Sequence, residues 1–155
     1  MNGIVVTIAS LVLAAALPAA PAPLAGLQYL VGTWNCTYHA GATRFAYRAA
    51  YAYDSDGRIL RQSATWTGGG DEELQAYDAQ HGRWTAIVLD TQGTATVMRA
   101  TGSDPTHIAY HSIYPDASIA VTFDRVSATE YTLHGTVRTG GKTITSVDTC
   151  VRASH

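Results

Sequence analysis

Lysine is almost missing from this chain, and charge of either sign is missing from its first quarter. Lys142 is the only lysine, and no Asp, Glu, Lys or Arg precedes Arg44. Ten basic and twelve acidic residues leave a formal net charge of −2, which excludes the basic stripe that a nucleic-acid-binding surface needs. Cysteine is scarce as well. Cys36 and Cys150 are the only two, and no histidine is adjacent to either, so a tetrahedral zinc site is not expected. No segment after residue 30 keeps a 3.6-residue apolar period over three turns, which excludes a helical bundle. Nucleophile elbows, phosphate loops and metal-ligand clusters are also lacking. The sequence therefore points to no catalytic residue, no metal and no cofactor.

The uncharged start divides in two. Ile4 to Leu17 is an unbroken apolar run apart from Thr7 and Ser10, followed by Pro18 and the small-residue stretch Ala19-Ala20-Pro21-Ala22-Pro23. At 14 residues it fits the core of a secretory leader and falls short of the ~20 residues of a membrane span. The expected division is a signal peptide and short spacer over 1–26, cut between Ala19 and Gly26, and one domain over 27–155. That domain is expected to be secreted or periplasmic, with no stable membrane insertion after leader removal. Two cysteines in an exported chain suggest one disulfide.

The rest of the chain is rich in threonine and tyrosine, with 20 and 9 respectively. Short runs of Thr, Val, Ile and Tyr recur every eight to twelve residues between turn residues, the pattern of an all-β fold. The expected strands are Gly32–His39, Thr43–Tyr53, Arg58–Thr67, Glu72–Asp78, Arg83–Thr91, Thr94–Thr101, Thr106–Ile113, Ser118–Val126, Glu130–Arg138 and Lys142–Arg152. Turn chemistry separates them at Asp54-Ser55-Asp56-Gly57, Gln80-His81-Gly82, Gln92-Gly93, Ser103-Asp104-Pro105, Pro115-Asp116 and Gly140-Gly141. Such short connections make hairpins, and a long meander exposes two edges unless it closes on itself. The reading is a single closed antiparallel up-and-down barrel of about 8–10 strands, its first and last strands paired, with Ala22–Val31 plugging one end.

The chain ends test that closure. An antiparallel ladder that sets Cys36 opposite Cys150 also sets Trp34 opposite Arg152 and Tyr38 opposite Asp148. Directly opposite residues share a face at about 5 Å, as a disulfide requires, and the same register puts a guanidinium beside an indole.

Leu30-Val31-Gly32-Thr33-Trp34 opens the first strand with Gly-x-Trp. It resembles the start of calycin-type barrels, the lipocalin, fatty-acid-binding and nitrobindin-like proteins. In lipocalins an arginine late in the barrel packs over that tryptophan, the part Arg152 is placed to take. The run Tyr51-x-Tyr53-Asp54-x-Asp56-Gly57-Arg58-x-Leu60, with Tyr77-Asp78 and Arg83-Trp84, resembles small secreted lipocalin-like domains of bacteria whose function is uncharacterised. The resemblance implies a calycin-like barrel over nearly the whole domain, and the barrel is expected to be a monomer.

Alternation from Trp34, Cys36 and Tyr38 fixes the expected interior. The first hairpin is expected to pair Tyr38 with Thr43 and the second Tyr53 with Arg58. Phe45, Tyr47, Ala49, Tyr51 and Tyr53, then Leu60, Gln62, Ala64 and Trp66, then Ile119, Val121, Phe123, Tyr131, Leu133 and Val137 face inward. Tyr38, Tyr47, Tyr51, Gln62 and Asp148 are candidate polar points in an apolar cavity, the usual makeup of a small-molecule site. The same tyrosines would equally serve to fill a core. The leading expectation is an interior site for a small hydrophobic or aromatic ligand. One alternative is a haem or redox barrel using His107 or His111; four apart on a strand, they stand roughly 13 Å apart and cannot share one ion. Another is a cell-envelope interaction module with a filled core. Asp54-Ser55-Asp56-Gly57 reads as a hairpin turn, since Thr65 stands where a calcium loop needs Glu. Asp71-Glu72-Glu73, after three glycines, reads as a solvated strand entry.

The disulfide has a direct check. Mass measurement without reductant should show the chain lighter by its two thiol hydrogens, with no free thiol to label; a labelled thiol in the folded protein would contradict it.

Overall fold

The computed structural model describes residues 22–154. The expected leader lies mostly outside the described residues. A helical turn, α1 (Ala22–Ala25), runs into a 3₁₀ turn (Gly26–Leu30). Ten strands follow: β1 (Gly32–Ala40), β2 (Thr43–Tyr53), β3 (Leu60–Trp66), β4 (Gly69–Asp78), β5 (Arg83–Asp90), β6 (Ala95–Thr101), β7 (His107–Tyr114), β8 (Ile119–Arg125), β9 (Glu130–Thr139) and β10 (Lys142–Arg152). Each pairs antiparallel with the next, and β10 returns to β1 to close the barrel. The architecture is all-β and up-and-down, with the first and last strands paired.

The closing ladder sets Trp34 opposite Arg152, Cys36 opposite Cys150 and Tyr38 opposite Asp148. Cys36 and Cys150 form a disulfide, their Cα atoms 4.1 Å apart. The Arg152 guanidinium lies 4.5 Å from the centre of the Trp34 ring.

Both hairpins differ from expectation by two residues. Tyr38 pairs with Phe45 rather than Thr43, because β1 continues to Ala40 and turns at Gly41-Ala42. Tyr53 pairs with Leu60 rather than Arg58, because Arg58 and Ile59 belong to the turn, where their amides donate to Asp54 Oδ1. Side chains alternate with period two, so a two-residue slip leaves every face unchanged. Ala49, Tyr51, Leu60, Gln62 and Ala64 are buried as alternation requires, and Arg44, Arg48 and Arg61 are exposed.

The N-terminal turns seal one end. Leu24, Leu27 and Leu30 are fully buried among Trp34, Tyr51, Trp84, Ile108, Phe123 and Tyr131. The domain's packing thus reaches back to Leu24, inside the stretch expected to be leader and spacer. Polar bonds tie the plug to the wall. Trp34 Nε1 donates to the Leu30 carbonyl at 2.7 Å, the Tyr53 hydroxyl donates to the Leu24 carbonyl at 2.6 Å, and Arg152 donates to the Val31 carbonyl at 3.0 Å and to the Tyr29 carbonyl. Tyr29 is capped by the Arg125 guanidinium, 4.3 Å from its ring centre. Gly26 lies so close to Pro105 that a Cβ there would stand 2.6 Å from the proline Cγ; only glycine lets the plug sit this deep.

Arg152 therefore carries three contacts that depend on a planar, forked cation. Arg152→Lys keeps the charge but loses the paired donors and the stacking face. It should cost roughly 1–3 kcal/mol, read as a lowered denaturant midpoint with an unchanged slope; equal stability of the variant would remove Arg152 from the closure.

Candidate functional site

The plug fills one end of the barrel. Toward the end formed by the β1–β2, β3–β4, β5–β6, β7–β8 and β9–β10 turns, the interior holds a cavity of about 320 Å3. Barrels of about eight strands are just filled by their side chains or hold one small ligand, and ten strands leave more room. Ala64, Val88, Met98, Val121 and Leu133 give the cavity apolar walls. An aromatic rim stands above it. Tyr38 stacks on Phe45 with ring centres 4.8 Å apart, and Phe45 lies 5.9 Å from Trp66 and 6.3 Å from Tyr47. At 36% exposure, Phe45 is where this rim meets solvent.

Tyr38, Tyr47, Gln62 and Asp148, four of the five candidate residues, line this cavity. Tyr51 does not. It is buried beneath it in the packed half, where its hydroxyl lies 2.9 Å from that of Tyr131 and its ring meets Tyr131 edge-on. Gln62 is 7% exposed. The Tyr47 hydroxyl lies 3.7 Å from Cys150 Sγ and faces the Asp148 carboxylate.

Sequence reasoning missed two residues of this site. Asp71 and Glu73 are not a solvated strand entry: both line the cavity from β4. The glycines misled, because Gly69 and Gly70 are strand residues rather than a loop. The turn is only Thr67-Gly68, with Gly68 at φ +90°. A Cβ on Gly70 would stand 2.6 Å from the Ala64 carbonyl oxygen, and one on Gly69 would stand 2.9 Å from Trp66 Nε1. These glycines therefore serve close packing against β3. The tight hairpin places Ala64 opposite Asp71 and Gln62 opposite Glu73. Carrying the inward face of β3 across a two-residue turn would have found both acids.

Three carboxylates thus share the cavity with four aromatic rings, and no Arg, Lys or His lines it. Burial pushes Asp71 up to about 6, helped by the like charges of Glu72, Asp148 and Asp90. Burial pushes Glu73 up to about 7, with Asp71 adding to it and a hydrogen bond from Gln75 opposing. Burial also pushes Asp148 up to about 6, against a hydrogen bond from Tyr47. Tyr47 and Tyr51 are raised above the usual phenol range, chiefly by burial. Two buried polar atoms have no protein partner: Asp71 Oδ1 and the Tyr110 hydroxyl.

His107 and His111 both lie on the outer face of β7 and are exposed. His107 Nδ1 meets Asp124 Oδ1 at 2.5 Å on the surface. Neither reaches the cavity, which removes the ligand on which an interior haem would depend. The filled core needed by the interaction-module reading is also not found, since the interior holds this cavity. A wider depression of about 1210 Å3 lies outside the wall, where Asn35, Thr37, Arg44, Arg48 and Thr149 point to solvent. It is a concave stretch of surface, whereas the titratable groups converge inside. Among the described residues, no group of three or more His, Cys, Asp or Glu has metal-binding geometry, and no helix is long and apolar enough to cross a membrane.

No family model matches the sequence, and no curated protein matches it. Among solved structures, the chain is similar to the S-type phycobiliprotein lyase of Guillardia theta. The TM-score is 0.55 at 12% identity, over 84% of this chain and 92% of that one. The likeness is one of fold, a calycin-like barrel.

The raised carboxylates predict how stability varies with pH. An acid with a higher pKa in the folded chain than in the unfolded one binds its proton more tightly when folded. Its contribution is full below the unfolded values, near 4, and is lost as the pH rises through 6 to 7. The folded protein should be less stable at pH 8 than at pH 5 by on the order of 1–3 kcal/mol, after discounting Asp71 and Asp148 for their solvent access. Thermal unfolding across this range reads it directly, and a midpoint that climbs with pH would contradict it.

Proposed function

We propose that this protein is an exported, monomeric barrel that binds one small hydrophobic or aromatic molecule in its interior. The observation that carries the reading is the cavity itself: about 320 Å3, lined by apolar side chains and by four aromatic rings. It lies at the small end of the range for ligand sites, so a molecule of one to three rings matches it. The packed half supplies the rigidity that a preformed site needs. The Trp34–Tyr131 and Phe123–Tyr131 ring contacts, both under 5 Å between centres, leave that half no room to rearrange.

Export is part of the same proposal. The apolar run Ile4–Leu17 supports it, as does the Cys36–Cys150 disulfide, since such bonds persist in oxidising compartments. In this reading the leader is cut before Leu24, because Leu24 is a plug residue.

N-phenyl-1-naphthylamine, a neutral apolar dye, should bind saturably and one-to-one, with the fluorescence gain of a water-free site. Val121→Trp projects a larger side chain from the cavity wall and should weaken uptake roughly tenfold or more while the barrel stays folded by circular dichroism. Absence of saturable uptake by the wild-type protein, or full uptake by the filled variant, would sink the reading.

A further inference from the structure

The interior carries charge of one sign only. Asp71 and Glu73 descend from β4 and Asp148 faces them from β10, while all ten basic residues lie outside the cavity lining. Buried carboxylates are ordinarily paired or hydrogen-bonded; here Gln75 bonds Glu73 and Tyr47 bonds Asp148, but no cation of the lining pairs with any of the three. Asp71 Oδ1 is buried without a partner. The Gln62 side chain, more than nine-tenths buried, lines the same space, and none of the hydrogen bonds among described residues involves its amide. Across the barrel the Tyr110 hydroxyl, 3% exposed and also without a partner, feels the charge of Glu73. Asp71, Glu73, Asp148 and Gln62 thus share one void whose rim is built of aromatic rings. Such a ring attracts a cation to its face, most strongly where water is displaced.

We propose that the cavity selects an aromatic or apolar molecule bearing a cationic nitrogen, its ammonium group held among Asp71, Glu73 and Asp148 and its apolar body against Tyr38, Phe45 and Trp66. This rests on the interior-binding reading and adds the ligand's charge to it. A bound ammonium offers up to three donors, enough for two carboxylates and the Gln62 carbonyl oxygen. It also supplies the opposite charge that the wall withholds. A carboxylic acid or phosphate would meet only repulsion there.

The pH behaviour follows from the groups that face these acids. On β1, β2, β7 and β9 they are tyrosines: Tyr38, Tyr47 and Tyr51, Tyr110, and Tyr131. Asp90 of β5 stands opposite Asp71 and acts on it through its charge, as does Glu72 of β4, while the inward residues of β3, β6 and β8 bring no ionisable group to the cavity. Burial raises Tyr47, Tyr51, Tyr110 and Tyr131 above the usual phenol range, and the three cavity carboxylates, raised to about 6 to 7, change charge between pH 5 and pH 8. An alkylamine keeps its proton over that whole range.

Calorimetric titration of the disulfide-intact protein with tryptamine, tryptophol and indole-3-acetate compares a cation, a neutral molecule and an anion on one indole frame. At pH 8 tryptamine should bind at least about tenfold more tightly than tryptophol, and indole-3-acetate more weakly than either. At pH 5 the tryptamine advantage should shrink to within about threefold. Glu73→Gln should shrink the tryptamine-over-tryptophol advantage at pH 8 severalfold, while raising the thermal midpoint at pH 8, which shows that the variant is folded. Near pH 6.5, tryptamine but not tryptophol should release protons to the buffer. Equal binding of tryptamine and tryptophol at pH 8 would overturn the charge preference and leave interior binding standing. If neither these indoles nor N-phenyl-1-naphthylamine bind, both readings fall.

Discussion

The pairing of β10 with β1 is the constraint on which the rest of this structure depends. Without it the meander is an open sheet with two unsatisfied edges. With it every strand has two neighbours, and the inward side chains face one another across a closed interior. Three neighbouring positions hold the pairing: Trp34 with Arg152, Cys36 with Cys150 and Tyr38 with Asp148. Each does a different job. The first locks the plug through backbone carbonyls, the second is covalent, and the third sets an aromatic ring and a carboxylate at the cavity wall. A single register thus fixes the sealed end, the seam and one side of the void.

The barrel is divided along its axis by what fills it. Leucines of the plug and the rings of Trp34, Trp84, Phe123 and Tyr131 occupy one half at close packing. In the other half Gly135, Ala64 and Val121 are small, and three inward positions carry acids instead of apolar side chains. Acids inside a hollow half stay solvated by whatever occupies the hollow, and acids inside the packed half would not be tolerated. The disposition of charge and the disposition of space are therefore one design decision.

Much of the fold was legible because strand faces follow parity. Errors of two residues at the Gly41-Ala42 and Asp54–Ile59 turns left Tyr47, Gln62 and Ala64 on the correct side. The closing register was legible because two cysteines and one Trp–Arg pair had to agree with each other. Asp71 and Glu73 were not, for a physical reason. Their charge argued for solvent, and the glycines before them argued for a loop, so nothing linked their parity to that of β3. The outward placement of His107 and His111 was hidden by apolar groups on both faces of β7, among them Ile108 inside and Ile113 outside. The hollow itself could not be read from any residue, since it depends on how far the plug reaches and on which small side chains meet across the barrel.

The Cys36–Cys150 bond also governs how the domain answers to force. Tension applied through the two ends of the chain passes straight across the seam, because the bonded residues sit on adjacent strands. The chain between them, spanning a sequence separation of 114, carries none of it. What remains under load is the plug and the first turn of β1 on one side and the last few residues of β10 on the other. Pulling would draw Leu24, Leu27 and Leu30 out of the sealed end while the walls and the aromatic rim stayed in place. Mechanically the molecule is a stoppered vessel, and the stopper is the part attached to whatever pulls.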